Sequence, residues 1–183
     1  TLSFTYDSSS RIHTMSGPAG QQYVYGYDGS NNLISVTYPD NKTRTYLYNE
    51  AALTSGADLP HALTGVTDEN NSRYATIAYD SQGRVVSTQH AGGAEIVSIA
   101  YPDSSTATTT DAFNTSRTYT FLTKLGVPKN SVLVQPDAAG IGNATRGVGY
   151  DSKGNISSIT DFNGVTTNYS YDAMRLPWRL ALD

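Results

Sequence analysis

Apolar and polar residues alternate along this chain in short runs, and the runs return at a fixed interval. LISVTY at 33–38 puts Ile34, Val36 and Tyr38 on one face of an extended strand, because strand side chains point alternately to opposite sides. QQYVYGY at 21–27 does the same with Tyr23, Tyr25 and Tyr27, and TRTYLY at 43–48 with Tyr46 and Tyr48. EIVSIAY at 95–101 aligns Val97, Ile99 and Tyr101, and NYSY at 168–171 aligns Tyr169 and Tyr171. Turn formers separate the runs: Pro39-Asp40-Asn41, Gly92-Gly93 and Asn163-Gly164, the last a strong hairpin signal. Helical periodicity is missing. The Ala-rich stretches 50–64 and 136–145 are each broken by Gly or Pro.

The interval is set by a Tyr-Asp pair. It stands at Tyr6-Asp7, Tyr27-Asp28, Tyr79-Asp80, Tyr150-Asp151 and Tyr171-Asp172, with weaker copies at Tyr48-Asn49, Tyr101-Pro102 and Tyr119 or Phe121. Tyr6, Tyr27 and Tyr48 are 21 residues apart, as are Tyr150 and Tyr171. Four residues past the tyrosine come Ser10, Asn31, Gly83, Ser105 and Gly154. Gly and Asn tolerate positive φ, so a left-handed residue closes this turn, with the two serines the least comfortable in it. Two residues further on, Ile12, Leu33, Val85, Ala107 and Ile156 open the next strand. Asp at the start of the turn accepts backbone amides two residues on. Each unit is thus a β-hairpin whose second strand delivers the Tyr-Asp of the next.

The predicted fold is all-β: tandem hairpins forming a twisted, curved antiparallel sheet. Residues 1–183 make a single array of about seven hairpin units, because one hairpin alone is marginal in water. Longer spacings place inserted loops near 50–72 and 122–147, punctuated by Pro60, Pro128 and Pro136, which would cover one side of the sheet. The chain starts and stops inside repeats, so both ends are expected to be cut from a longer one.

Charge and composition narrow the function. Sixteen acidic against 12 basic residues give a net charge of −4, which disfavours nucleic acid as a partner. No apolar run approaches the roughly 18 residues of a membrane helix. Cysteine is absent, so there is neither a disulfide framework nor thiolate chemistry.

Candidate chemistry is thin. His13, His61 and His90 lack the short spacings of zinc sites. No G-x-S-x-G elbow supports a Ser–His–Asp triad, and DAAGIGNATRG at 137–147 lacks the full phosphate-binding fingerprint. The recurring aspartates Asp7, Asp28, Asp80, Asp151 and Asp172 are explained as turn residues; a Ca²⁺ row is the alternative, without the Gly-Gly-x-Gly-x-Asp signature. The sequons at Asn41, Asn70, Asn114, Asn143, Asn155 and Asn168 are those an Asn/Ser/Thr-rich chain carries by chance. No catalytic residue, cofactor or metal ligand is therefore assigned. Tyr23, Tyr46, Tyr169 and Trp178 are candidate sugar-stacking platforms if the tyrosine face is wet.

YDSQGRVVS (79–87) and YDSKGNISS (150–158), with LPHALTGVTDENNSRYATIAYDSQGR (59–84) and TDFNGVTTNYSYD (160–172), resemble the YD repeats of bacterial Rhs proteins. Related repeats occur in the B and C subunits of insecticidal toxin complexes and in teneurins. The resemblance implies a β-spiral shell around a C-terminal cargo domain, in a secreted or cell-surface bacterial polypeptide. The chain would be a non-enzymatic stretch of that wall, partnered by the rest of its own polypeptide. A repeat module that binds carbohydrate or another cell-surface ligand is the alternative, and open sheet edges predict self-association. The chain departs from the full pattern: it has too few repeats to close a cage, and no Asp-Pro dipeptide of the kind found in the family's self-cleavage region.

Overall fold

The computed structural model describes residues 1–137, 139–140, 142–171 and 177–179, with the backbone alone for 177–179. The chain forms two compact units, Thr1–Val97 and Ser98–Asp183. In the first, β1 (Ser3–Tyr6), β2 (Ile12–Ser16), β3 (Gln22–Tyr27), β4 (Leu33–Thr37), β5 (Thr43–Tyr48), β6 (Leu63–Thr67), β7 (Arg73–Tyr79) and β8 (Val85–His90) follow in order. Each pairs antiparallel with the next. The second unit repeats the plan with β9 (Val97–Asp103), β10 (Thr106–Thr110), β11 (Ser116–Lys124), β12 (Val127–Pro136), β13 (Asn143–Tyr150), β14 (Ile156–Thr160), β15 (Thr166–Tyr171) and β16 (Pro177–Arg179). The all-β architecture of tandem antiparallel hairpins read from the alternation is the one observed.

The two faces differ in chemistry. In the first unit Phe4 lies opposite Met15, Met15 opposite Tyr23, and Tyr25 opposite Val36; Tyr46 lies opposite Val66 on the same side. The other side is hydroxylated: Thr5 faces Thr14, Thr37 faces Thr43 and Ser35 faces Thr45. The second unit keeps the division, with Tyr119, Leu133, Val148 and Ile159 on one side and Thr108, Thr118, Thr160 and Thr166 on the other. Threonine pairs hydrogen-bond across strands, Thr37 to Thr43 at 2.9 Å and Thr160 to Thr166 at 2.8 Å, contacts that stabilise a sheet pair by a few tenths of a kcal/mol up to about 1 kcal/mol. Among the described residues only Val36 and Val148 are buried apolar side chains. Little of the cohesion therefore comes from a second layer; most comes from strand-to-strand bonding.

The sequence-based expectation of inserted loops near 50–72 and 122–147 needs correction at 63–72, which is strand β6 and the Asp68 turn, and at 122–147. That region is mostly strand. Phe121 lies opposite Asn130 after a bulge, as Tyr27 lies opposite Leu33. Beyond it the hairpin continues through Lys124 paired with Val127, turning at Leu125 and Gly126, both at positive φ. Such a two-residue turn with both φ values positive matches the twist of the strands. Pro128 is tolerated because pairing of β12 with β13 starts only at Val132, so the backbone around Pro128 bonds on one side. The 50–62 stretch does leave the strand pattern, with one 3-10 turn at Ala51–Leu53 and the fully buried Thr54. It lies against strand ends: Ser55 donates to the Tyr79 carbonyl, and Leu59 is the nearest neighbour of Gly83.

Candidate functional site: the tyrosine–aspartate turns

The four described Tyr-Asp turns are built the same way. In Asp80–Arg84 the Asp80 amide donates to the Arg84 carbonyl at 2.9 Å, and the Gly83 amide to the Asp80 carbonyl at 3.0 Å. Gly83 has φ 78°. The pattern is a type I turn followed by one left-handed residue. The carboxylate then closes it. Asp80 Oδ1 accepts the amides of Gln82 (3.0 Å) and Arg84 (2.9 Å), and Oδ2 accepts Arg84 Nε at 2.7 Å. Asp7 repeats this with Arg11, Asp28 with Asn32 and Asp151 with Asn155. The residue four past Asp is Arg or Asn because it must reach back to Oδ2.

These bonds fix the charge. The Arg84 amide, above all, holds the Asp80 carboxyl below its usual value, with partial desolvation opposing and the Arg84 side chain assisting. Asp7 is lowered in the same way by Arg11. Asp28 is lowered mainly by the Asn32 side chain. At Asp151 desolvation is the largest single influence and opposes, yet the bonds from Asn155 and Lys153 still lower it. Both oxygens of all four carboxylates are thus engaged in closing turns. Among the described residues no group of three or more His, Asp or Glu is placed to hold a metal ion.

Ser10 takes the left-handed conformation (φ 62°) beside Asn31, Gly83 and Gly154. Ser105 does not. The Tyr101 copy runs its strand to Asp103, which pairs with Thr106 across a tighter turn. Asp103 accepts the Ser105 amide at 2.7 Å.

The tyrosine does something composition and spacing left unseen. Its hydroxyl donates to the carbonyl of the residue that faces the preceding hairpin's Tyr (or Phe121) across the bulge, which opens the second strand except at Asn130 inside β12. Tyr27 reaches Ile12 (3.0 Å), Tyr48 reaches Leu33 (3.1 Å) and Tyr79 reaches Leu63 (2.9 Å). In the second unit Tyr150 reaches Asn130 (2.7 Å) and Tyr171 reaches Ile156 (2.8 Å). The same tyrosines pair with the opening residue of their own hairpin, Tyr27 with Leu33 and Tyr79 with Val85, just after a bulge. Ile12, Leu33, Leu63 and Ile156 therefore each link two tyrosines, and Asn130 links Phe121 to Tyr150. Burial pushes the phenols of Tyr48 and Tyr79 above their ordinary value, which keeps them neutral donors. Arg11 adds a cation over the Tyr27 ring at 4.4 Å, and Lys129 one over Tyr150 at 5.2 Å.

Lateral bonds tie neighbouring turns. Arg11 donates to Asn31 Oδ1 at 2.8 Å. The buried Asn32 donates to the Pro60 carbonyl and meets His61 Nδ1 at 2.7 Å. The insert is anchored by Glu50, which takes a two-pronged pair from Arg73 (2.9 and 2.7 Å) and a bond from the buried Thr64 (2.7 Å). Arg73 lowers the Glu50 carboxyl. Gly65 leaves the room Arg73 needs, since a Cβ there would run into the guanidinium.

The opposite row of turns was only partly foreseen. Asp68, Asp111 and Asp161 close three of its turns with the Oδ1 bonds used by Asp80: Asp161 Oδ1 accepts the Asn163 and Val165 amides at 2.9 Å each, while the turns Gly17–Gln21 and Tyr38–Lys42 have the same backbone bonds without that aspartate. Asn163-Gly164 is thus part of this five-residue turn, with Gly164 at φ 82°, and not a two-residue one. The signal was present as Asp-x-x-Asn or Asp-x-x-Gly.

The sugar-stacking candidates are not brought together. Tyr23 packs edge-on against Tyr38 at 5.7 Å, and Tyr46 and Tyr169 are half-buried on β5 and β15. The Trp178 side chain and Asp172 lie outside the described residues. His13, His61 and His90 stand apart on β2, in the insert and at the end of β8.

A meander of hairpins in which five tyrosines latch one hairpin to the one before it defines a repeat-array class of protein. The RHS repeat model matches residues 6–43 and 150–177, two segments that include copies of the YD repeat the motifs resemble. Among solved structures it is similar to "Crystal Structure of TcdB2-TccC3-Cdc42", at 13% identity and TM-score 0.54, over 96% of this chain and 11% of that one. It is also similar to "Crystal Structure of TcdB2-TccC3", at 14% identity and TM-score 0.52, over 96% and 11%. The chain thus spans about a tenth of the length of those structures. No curated protein sequence matches it.

Proposed function

We propose that this chain is a structural stretch of wall in an Rhs-type shell protein, non-catalytic by itself, within a secreted or surface-exposed bacterial toxin polypeptide. Its partner is the remainder of that polypeptide, including a C-terminal cargo domain that the wall encloses. The carrying observation is the tyrosine latch. It repeats with one polarity from hairpin to hairpin, which suits an array extended by adding units and not a site assembled at one point. The likeness of fold to TcdB2-TccC3 supports this.

The test is the size of the native polypeptide, by immunoblot of source cells and culture medium with an antibody to residues 1–97. A band far larger than 19.6 kDa is expected, in medium or at the cell surface. A discrete band near 19.6 kDa would overturn the wall assignment. The glycan-binding alternative, with Tyr23, Tyr46 and Tyr169 on the aromatic faces, would take its place.

A further inference from the structure

The β11–β12 hairpin projects past the Tyr-Asp turn beside it. Its Phe121–Asn130 pair stands where Tyr150 pairs with Ile156 in the following hairpin; there the chain turns at once, whereas here the strands run on to Lys124 and Val127. The tip is apolar. Leu125 is 76% exposed and Val127 53%, and Gly126 and Pro128 between and beside them are exposed as well.

Leu125 is out of place on two counts. It sits at φ 51°, where a Cβ crowds the following carbonyl. Every other non-glycine residue at positive φ among the described residues is Asn, Ser or Glu, and Asn, Asp or Gly is what such a turn prefers. Burial does not compensate. The side chain leans toward the Gly154 turn, yet most of it stays in water. Folding thus gives no reason for leucine here, and an apolar side chain held in a left-handed position at the surface points to a contact made elsewhere.

Charge gathers at the same place. The chain has four lysines, Lys42, Lys124, Lys129 and Lys153, and the last three surround this tip. Lys124 pairs with Val127, and Lys129 lies two residues further back on β12. Lys153 precedes Gly154, over which Lys129, Leu125 and Lys124 all lie, within 3.6–3.9 Å of where a Cβ would stand. Arg11, Arg44, Arg73, Arg84 and Arg117 are held in ion pairs with carboxylates, whereas none of the three lysines forms one among the described residues. Lys129 rests its ammonium over the Tyr150 ring at 5.2 Å. The carboxylate of the adjoining turn, Asp151, is engaged by the Lys153 and Asn155 amides and the Asn155 side chain. A chain of net charge −4 therefore sets three unpaired cations behind one apolar point.

We propose that this hairpin tip docks on an anionic lipid surface, with Leu125 and Val127 entering the headgroup layer and Lys124, Lys129 and Lys153 meeting lipid phosphates. The occupant is a bilayer because the apolar point projects and the cations stand behind it, the order in which an interface accepts apolar side chains at depth and ammoniums at the headgroups. The negative surface potential of such a membrane adds to the attraction for each lysine.

The test is cosedimentation of the 183-residue chain with phosphatidylcholine vesicles, with and without phosphatidylglycerol. Binding to the phosphatidylglycerol vesicles is expected, falling as salt rises, with little binding to phosphatidylcholine alone. Lys124→Gln and Lys153→Gln should each weaken it about fivefold. Leu125→Asn should weaken it about tenfold while leaving the melting temperature unchanged or raised, because Asn suits the left-handed position. That pairing separates docking from folding. No binding to either vesicle, equal binding to both, or full binding by Leu125→Asn would overturn the proposal. Binding to poly-glutamate without binding to vesicles would assign the tip to an acidic polypeptide and overturn it equally. None of these outcomes bears on the wall assignment, which stands on native polypeptide size.

Discussion

The aspartate turns of the two rows use one closure and differ in what surrounds it. Asp80 and Asp161 both accept two backbone amides, and Gly83 and Gly164 both sit in the left-handed region. At the first row, however, a tyrosine precedes the aspartate and, from Tyr27 on, is bonded to the neighbouring hairpin, and the Arg or Asn that closes on Oδ2 stands four residues on, whereas Asp111 of the opposite row takes its Oδ2 partner, Arg117, from six residues on. The opposite row has Thr before Asp68, Asp111's Thr110 and Asp161's Thr160, all on strands without a latch. The Tyr-Asp signature therefore joins two separable devices. Aspartate shapes the hairpin; tyrosine joins hairpins.

The largest expected effect separates the rows most sharply. Tyr79→Ala removes a half-buried ring and its bond to Leu63, and should destabilise the chain by about 2 kcal/mol, below the range for a fully buried aromatic. Tyr74→Ala, on the same strand but 48% exposed and away from the latch, should cost at most about 1 kcal/mol. Denaturant melts compare them directly, and equal losses would remove the latch as the special feature of its row.

Next come substitutions that should fail to separate the rows. Gly83→Val and Gly164→Val each force a branched side chain to positive φ and should each cost about 1–2 kcal/mol. Space is not the issue at Gly164, which has no neighbour within 4 Å, and Gly83 meets only Leu59 at 3.6 Å. A large loss at one and none at the other would show that the two turns are not equivalent.

Much of this was legible in the residues, and the misses have local causes. The hairpin, the strand faces and the left-handed Gly83, Gly154 and Asn31 follow from alternation and from the side chains that tolerate positive φ. Ser10 was harder, since nothing in its own side chain marks it; its conformation is imposed by the bonds Asp7 makes to Ser9 and Arg11. The hairpin at 116–136 was hidden by Pro128 and Pro136, which look like breakers. The strand's one-sided pairing admits Pro128, and Pro136 ends the strand. The latch was not legible at all, because a hydroxyl bonded to a carbonyl 15 residues earlier leaves no trace beyond the period itself.

Tyr48→Phe isolates that hydroxyl. The ring stays, only the bond to the Leu33 carbonyl goes, and about 1 kcal/mol should be lost. Hydrogen exchange should quicken around Leu33 and Leu63, the two opening residues that Tyr48 joins. Faster exchange confined to the Asp28 turn would locate the tyrosine's role in shaping the turn and not in joining hairpins.

The smallest effects should come from acid, and they test whether the aspartate closure is common to both rows. The carboxyls of Asp80, in the tyrosine row, and Asp111, in the other, are held below their usual value of 3.8, chiefly by the amides of Arg84 and Thr115. A carboxyl lowered by folding contributes stability that is complete above its unfolded value and disappears as pH falls through the folded one. The chain should therefore lose stability below about pH 4. Asp80→Asn and Asp111→Asn should each be less stable than the parent near neutral pH and converge on it in strong acid. Both carboxylates are partly open to solvent, which keeps each contribution small. Convergence in one variant and a constant offset in the other would mean that charge matters to the closure in one row only.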